Sequence, residues 1–146
     1  MNSTQVMNRA ADNIRILAAA AVEKAKSGHP GGAMGGADFI NVLYSEFLEY
    51  DPKNPKWEGR DRFFLDPGHM SPMLYSVLAC AGKFSMEELA QFRQWESPTP
   101  GHPEVDVIVY QHHRDWETAD SSSNCFVKLL RVALNCVSLP ALSASS

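Results

Sequence analysis

The chain has 146 residues and an apolar fraction of 45%, which suits one globular core rather than several. A net charge of −4, with no block of like charge, leaves no basic patch for nucleic acid. The sequence holds no run of about 18 apolar residues, the length of a membrane span, and its polar opening, Asn2-Ser3-Thr4-Gln5, lacks the order of a secretory signal. Cys80, Cys125 and Cys136 are odd in number and widely spaced, so they read as three free thiols of a cytoplasmic protein.

Residues 4–26 read as a helix. Ser3 or Thr4 can cap it, and Ile14, Leu17, Ala18, Ala21 and Val22 follow the spacing of one buried face. Lys24 and Lys26 sit at its C-terminal end, where the helix dipole favours cations. Ser27 to Pro30 breaks it. A second helix is expected from about Gly32–Met34 to Tyr50, with Phe39, Ile40, Leu43, Tyr44 and Phe47 as its apolar stripe. Asp51-Pro52-Lys53-Asn54-Pro55 is a turn-rich connection.

Arg62-Phe63-Phe64-Leu65 reads as a short buried strand ended by Asp66-Pro67-Gly68, and a third helix follows from about Ser71 to Ala81. Strand, glycine loop and helix in that order is the arrangement by which α/β folds hold ligands at strand ends. Ser85-Met86-Glu87-Glu88 fits a capping box for a helix covering Leu89, Phe92 and Trp95. Ser97 to Pro103 is a proline-rich loop. From about Val107 the character changes. Val107 to Tyr110 could be a strand, and an apolar stretch runs from Phe126 to Leu142. The chain therefore divides into residues 1–106 and a divergent tail, 107–146.

Three short motifs carry the chemistry: Ser27-Gly28-His29-Pro30-Gly31, Pro67-Gly68-His69-Met70-Ser71 and Gly101-His102-Pro103-Glu104. Each sets an imidazole beside a glycine in a predicted loop. Imidazole donates and accepts protons near neutral pH, and glycine lets a backbone approach a ligand closely. Each histidine also has a plainer reading. His29 can cap the preceding helix, His69 can bond its own turn, and His102 can be an exposed loop residue, although Glu104 is near enough in sequence to orient its imidazole.

The glycines around His29 suit either close packing or an anion held by backbone amides. They form no P-loop, because no Gly-Lys-Ser/Thr follows. The three histidines are 40 and 33 residues apart, without the local pairing of zinc motifs, so no metal site is predicted within this chain. Met70, Met73 and Met86 read as core fillers.

In order, these motifs resemble the N-terminal part of transketolase, from about Ala10 to Glu104. The resemblance runs through Lys26-Ser27-Gly28-His29-Pro30-Gly31-Gly32-Ala33-Met34-Gly35, Asp61-Arg62-Phe63, Met86-Glu87-Glu88-Leu89, Phe92-Arg93-Gln94 and Thr99-Pro100-Gly101-His102-Pro103-Glu104. That family uses thiamine diphosphate with a divalent cation, magnesium or calcium. It moves two-carbon ketol units between sugar phosphates in the pentose phosphate pathway, as a homodimer.

The resemblance implies an α/β fold: an incomplete diphosphate-side domain, helix-rich, with a small part of a parallel sheet. It implies that His29 and His102 are catalytic and sugar-binding residues, and that His69 with Gly68 binds near the diphosphate. It also implies departures. Many relatives have Ser-x-Gly-His-Gly or -Ala where this chain has Asp66-Pro67-Gly68-His69-Met70.

After Glu104 the family continues with a cofactor loop like Asn-Thr-Thr-Gly-Pro-Leu-Gly-Gln-Gly and a metal-binding Gly-Asp-Gly. This chain has neither. The codons of Gln111-His112-His113-Arg114-Asp115-Trp116, shifted by one nucleotide, can read Asn-Thr-Thr-Gly-Thr-Gly, so the tail reads as a frameshift, or as a genuine alternative ending or fusion. The leading expectation is a truncated transketolase-like protein, inactive alone, whose exposed surface favours aggregation or partners. The alternatives are a small subunit completed by a second chain, and a non-catalytic interaction protein that reuses the fold.

Overall fold

The computed structural model describes residues 3–54 and 56–103. The tail, 107–146, lies outside the described residues, and so do the expected strand Val107 to Tyr110, the apolar stretch from Phe126, and Glu104 beside His102.

The first helix, α1, spans Thr4–Ala25. Ser3 caps it, its hydroxyl accepting from the Val6 amide at 3.4 Å. At the other end Lys26 turns left-handed (φ 49°), returns its amide to the Glu23 carbonyl at 3.2 Å, and pairs with the Glu23 carboxylate. Ala10, Ala11, Ile14, Leu17, Ala18 and Ala21 form the buried face. Four of these six are alanine, which lets the neighbouring helices approach closely.

The expected second helix is divided. Pro30–Gly35 is α2, Ala37–Val42 is α3, and Leu43–Phe47 is one wider π-helical turn. Hydrogen bonds still cross the junction, from the Gly36 amide to Gly32 and from the Ile40 amide to Gly36. The expected apolar stripe divides as well. Ile40 and Tyr44 are buried, whereas Phe39 and Phe47 are 63% and 49% exposed. Helix α4, Ser71–Cys80, is buried along its whole length, behind a 3-10 turn at Gly68–Met70. It packs against α1, α2, α3 and a short helix, α5, at Met86–Leu89, as the centre of the domain.

Two glycines explain the close fit of this layer. A Cβ on Gly36 would lie 2.5 Å from the Met73 sulfur, and one on Gly32 would lie 2.9 Å from Met70 Cγ. The methionines thus fill space that only glycine leaves open. Cys80 is disulfide-bonded, which corrects the expectation of three free thiols.

The strand expected at Arg62 to Leu65 is not formed, and no strand occurs among the described residues. A strand needs a hydrogen-bonded neighbour, and none is described beside it. Burial still alternates from Asp61 to Asp66, the period of an extended chain, with Phe64 52% exposed. The segment is anchored at its start by Asp61, whose carboxylate accepts from the Glu49 amide at 2.7 Å. The described part of the fold is thus helical, and the small parallel sheet is not seen in it.

The capping box at Ser85 forms with both of its bonds, to Glu88 and back. The helix it starts, α5, covers only Met86–Leu89. Irregular turns replace the expected continuation, because Arg93 and Glu96 adopt left-handed backbone (φ 61° and 58°). Phe92 is buried, but Trp95 is 91% exposed.

Candidate functional site

The three glycine-histidine pairs converge. His29 stands at the N-terminus of α2 in extended backbone (φ −125°, ψ 100°), with no side-chain capping bond there, and the preceding helix α1 is capped by Lys26 rather than by His29. His69 sits in the 3-10 turn that enters α4. The two rings meet edge to face, with centroids 5.3 Å apart at 70°. His102 closes on the same place: a Cβ on Gly68 would lie 3.2 Å from His102 Cγ. All three histidines are exposed, and none of the imidazoles bonds to another described residue.

Each glycine before a histidine holds a flat group where its side chain would be. Phe92 Cε1 lies 3.2 Å from the Cβ position of Gly28, and Arg93 Nε lies 2.8 Å from that of Gly101. Gly28 also has φ +130°, a conformation that L side chains rarely adopt. The contacts close into a ring. Gly28-His29 meets His69, Gly68 meets His102, Gly101 meets Arg93, and neighbouring Phe92 returns to Gly28.

The supports come from α4 and α5. Ser71, fully buried at the start of α4, donates its hydroxyl to the Gly101 carbonyl at 2.7 Å. Thr99, also fully buried, donates to the Glu88 carbonyl at 3.0 Å and shares a 2.9 Å bond with Ser97. Its carbonyl accepts from the Arg93 amide at 3.0 Å. Arg93 reaches across the site, donating to the Ser27 hydroxyl at 2.7 Å.

Chemically, this is an exposed group of imidazoles, able to hydrogen-bond hydroxyls and phosphate oxygens. Among the described residues, no group of three or more His, Cys, Asp or Glu side chains is placed to hold a metal ion. The glycines around His29 serve packing at Gly32 and Gly36, and no neighbour crowds Gly31 or Gly35. Sequence reasoning singled out the histidines and Gly68 but gave no site role to Phe92, Arg93, Ser71 or Thr99. The available signal was an arginine directly after a core phenylalanine, at the end of a capped helix.

A family model described as transketolase, thiamine diphosphate binding domain, matches residues 6–111. Transketolase from Nostoc is 57% identical over 93 residues, covering 62% of this chain and 14% of its own length. Transketolase 1 of Escherichia coli is 55% identical over 96 residues, covering 65% and 14%. Among solved structures, transketolase from Pichia stipitis in complex with sedoheptulose-7-phosphate superposes with a TM-score of 0.69 at 42% identity, covering 72% of this chain and 16% of that one. Transketolase from Campylobacter jejuni gives 0.65 at 43% identity, covering 74% and 17%. The chain spans about one seventh of the length of these curated relatives. With a family model covering most of its length and histidine loops in the matched region, the chain belongs to the transketolase family, in its thiamine diphosphate binding domain.

Proposed function

We propose that residues 6–103 form one wall of a ketol-transfer site, in which His29 and His102 face the sugar phosphate and His69 with Gly68 faces the cofactor's diphosphate. The parent activity is transfer of a two-carbon ketol unit between sugar phosphates, by a cytoplasmic homodimer. The 146-residue chain alone does not carry it out. The observation that carries this reading is the convergence of the three glycine-histidine pairs, with His29 and His69 at 5.3 Å and His102 against Gly68.

The residues fit the diphosphate end of thiamine diphosphate. His69 is exposed and, apart from its edge-to-face contact with His29, its imidazole makes no hydrogen bond to a described residue, so a ring N–H is available to a phosphate oxygen. The described residues do not fit the cation, since they offer no cluster for it. When bound, thiamine diphosphate supplies the carbon nucleophile and electron sink that ketol transfer needs. In this reading a ring nitrogen of His29 moves the proton of the sugar's reacting hydroxyl. His102 hydrogen-bonds the donor's hydroxyls and fixes its orientation. Each task suits an imidazole near neutral pH.

The experiment is a chimera in which residues 6–103 replace the matching segment of the Escherichia coli enzyme. The chimera is expected to transfer ketol units. His29→Ala should lower kcat/KM by about 100-fold or more. His102→Ala should act chiefly on the KM of the donor ketose, and His69→Ala on the half-saturating concentration of thiamine diphosphate. A folded, cofactor-binding chimera indifferent to His29→Ala and His102→Ala overturns the proposal. Calorimetry of the unmodified chain with thiamine diphosphate and magnesium is expected to give no binding heat. Tight binding there overturns the inactivity of the lone chain.

A further inference from the structure

We infer that Arg93 is a positioning residue that locks the His29 loop to the His102 loop, so that the two sugar-facing imidazoles move as one unit. The sugar-facing role of those imidazoles rests on the proposed function above; the coupling itself rests on geometry alone. Arg93 grips one loop through its guanidinium, Nη1 donating to Ser27 Oγ at 2.7 Å, two residues before His29. It grips the other in two ways. Its amide donates to the Thr99 carbonyl at 3.0 Å. Its guanidinium lies against Gly101, where a Cβ would meet Nε at 2.8 Å and both Cζ and Nη2 at 3.3 Å.

The Nε atom is buried and has no hydrogen-bond partner among the described residues. On the Gly101 side the group is therefore held by shape rather than by bonds. A planar fork suits this double duty, because one edge can donate while the face packs. The left-handed backbone at Arg93 (φ 61°) turns the chain at this point. Phe92, just before it, seats against Gly28, so both loops are held by adjacent residues.

The test follows the imidazole ring resonances of His29 and His102 by NMR in the full 146-residue chain, with thermal unfolding alongside. Ser27→Ala removes one exposed hydroxyl and leaves Gly101 untouched. Coupling through Arg93 predicts that both ring resonances shift, His102 included. A shift confined to His29, or no shift at all, overturns the inference. Arg93→Met should also shift both. Arg93→Lys keeps a donor for Ser27 but loses the flat face, so it should restore His29 more than His102. A lysine chain indistinguishable from the arginine chain at both rings overturns the inference as well. If Arg93→Met does not fold, Ser27→Ala decides. None of these signals requires sugar to bind. The coupling can fail while the chimera behaves as proposed, and the chimera can fail while the coupling stands.

Discussion

The ring of His102 rests on the backbone of Gly68, the residue that carries His69. A Cβ on Gly68 would lie 3.2 Å from His102 Cγ and 3.5 Å from both Cδ2 and Nδ1. The two motifs are thus in contact through a glycine whose missing side chain sets where the neighbouring imidazole can lie.

Gly68→Ala should therefore move His102 rather than unfold the protein. His102 is exposed and free to swing away, so the stability change should stay within about 1 kcal/mol. The imidazole, however, would leave its place. In the chimera, kcat/KM is expected to fall by about 10- to 100-fold while the melting temperature changes little. A large drop in melting temperature with unchanged kinetics would count against this account.

The glycines near α2 should respond in opposite directions. Gly36→Ala places a methyl 2.5 Å from the sulfur of Met73, which is itself only 2% exposed and cannot yield freely. A loss of about 1–3 kcal/mol is expected from overpacking. Gly31 and Gly35 lie inside α2 and meet nothing within 4 Å. Alanine at either should stabilise by up to about 1 kcal/mol, through helix propensity. Urea midpoints at constant slope would separate the two classes.

Thr99→Val keeps the shape of a fully buried residue but removes the hydroxyl that serves the Glu88 carbonyl and Ser97. The expected cost is about 1–3 kcal/mol, since the buried Ser97 hydroxyl loses a partner and the part-buried Glu88 carbonyl keeps only the Gln91 amide. Amide exchange should quicken from Ser97 to His102. Thr99→Ser, which keeps the hydroxyl, should recover most of the loss. Equal effects of valine and serine would show that the hydroxyl is not the support.

Local chemistry made some of this legible in the sequence. Ser3 and Ser85 are capping residues whose partners lie within a few positions, and both caps form. The face of α1 followed from spacing alone. The length of the second helix did not. Gly36 is tolerable in a helix, and its special role depends on Met73, which is distant in sequence. The turn at Arg93 was equally hidden, because its left-handed backbone is held by Thr99 beyond the end of α5. At the site, the histidines were visible as chemistry. The residues that hold them were not, since Phe92, Ser71 and Thr99 read as ordinary core or loop. The expected strand at Arg62 to Leu65 is absent for a related reason: pairing is a property of two segments, and the local sequence carries only one.

Phe39, Val42, Leu43 and Phe47, beside Asp38, line an apolar cleft of about 550 Å³ on the outer side of α3. With Phe39 63% and Phe47 49% exposed, the chain should bind a hydrophobic dye and self-associate as concentration rises. Phe39→Gln together with Phe47→Gln should reduce both signals, with each exposed change costing about 0.5 kcal/mol or less. Light scattering and dye fluorescence that are unchanged in the double variant would assign the association to another surface.

The ring of contacts through Gly28, His69, Gly68, His102, Gly101 and Arg93 has a consequence for folding kinetics. His29 meets His69 across 40 residues, and Gly68 meets His102 across 34. Such non-local pairings form only after the intervening chain has lost its freedom, which slows their closure. The imidazole cluster is therefore expected to assemble late, after the segment from Gly28 to His102 has collapsed. No short peptide cut from the sequence contains it, and a single proteolytic nick between Gly28 and His102 breaks the covalent path that brings it together.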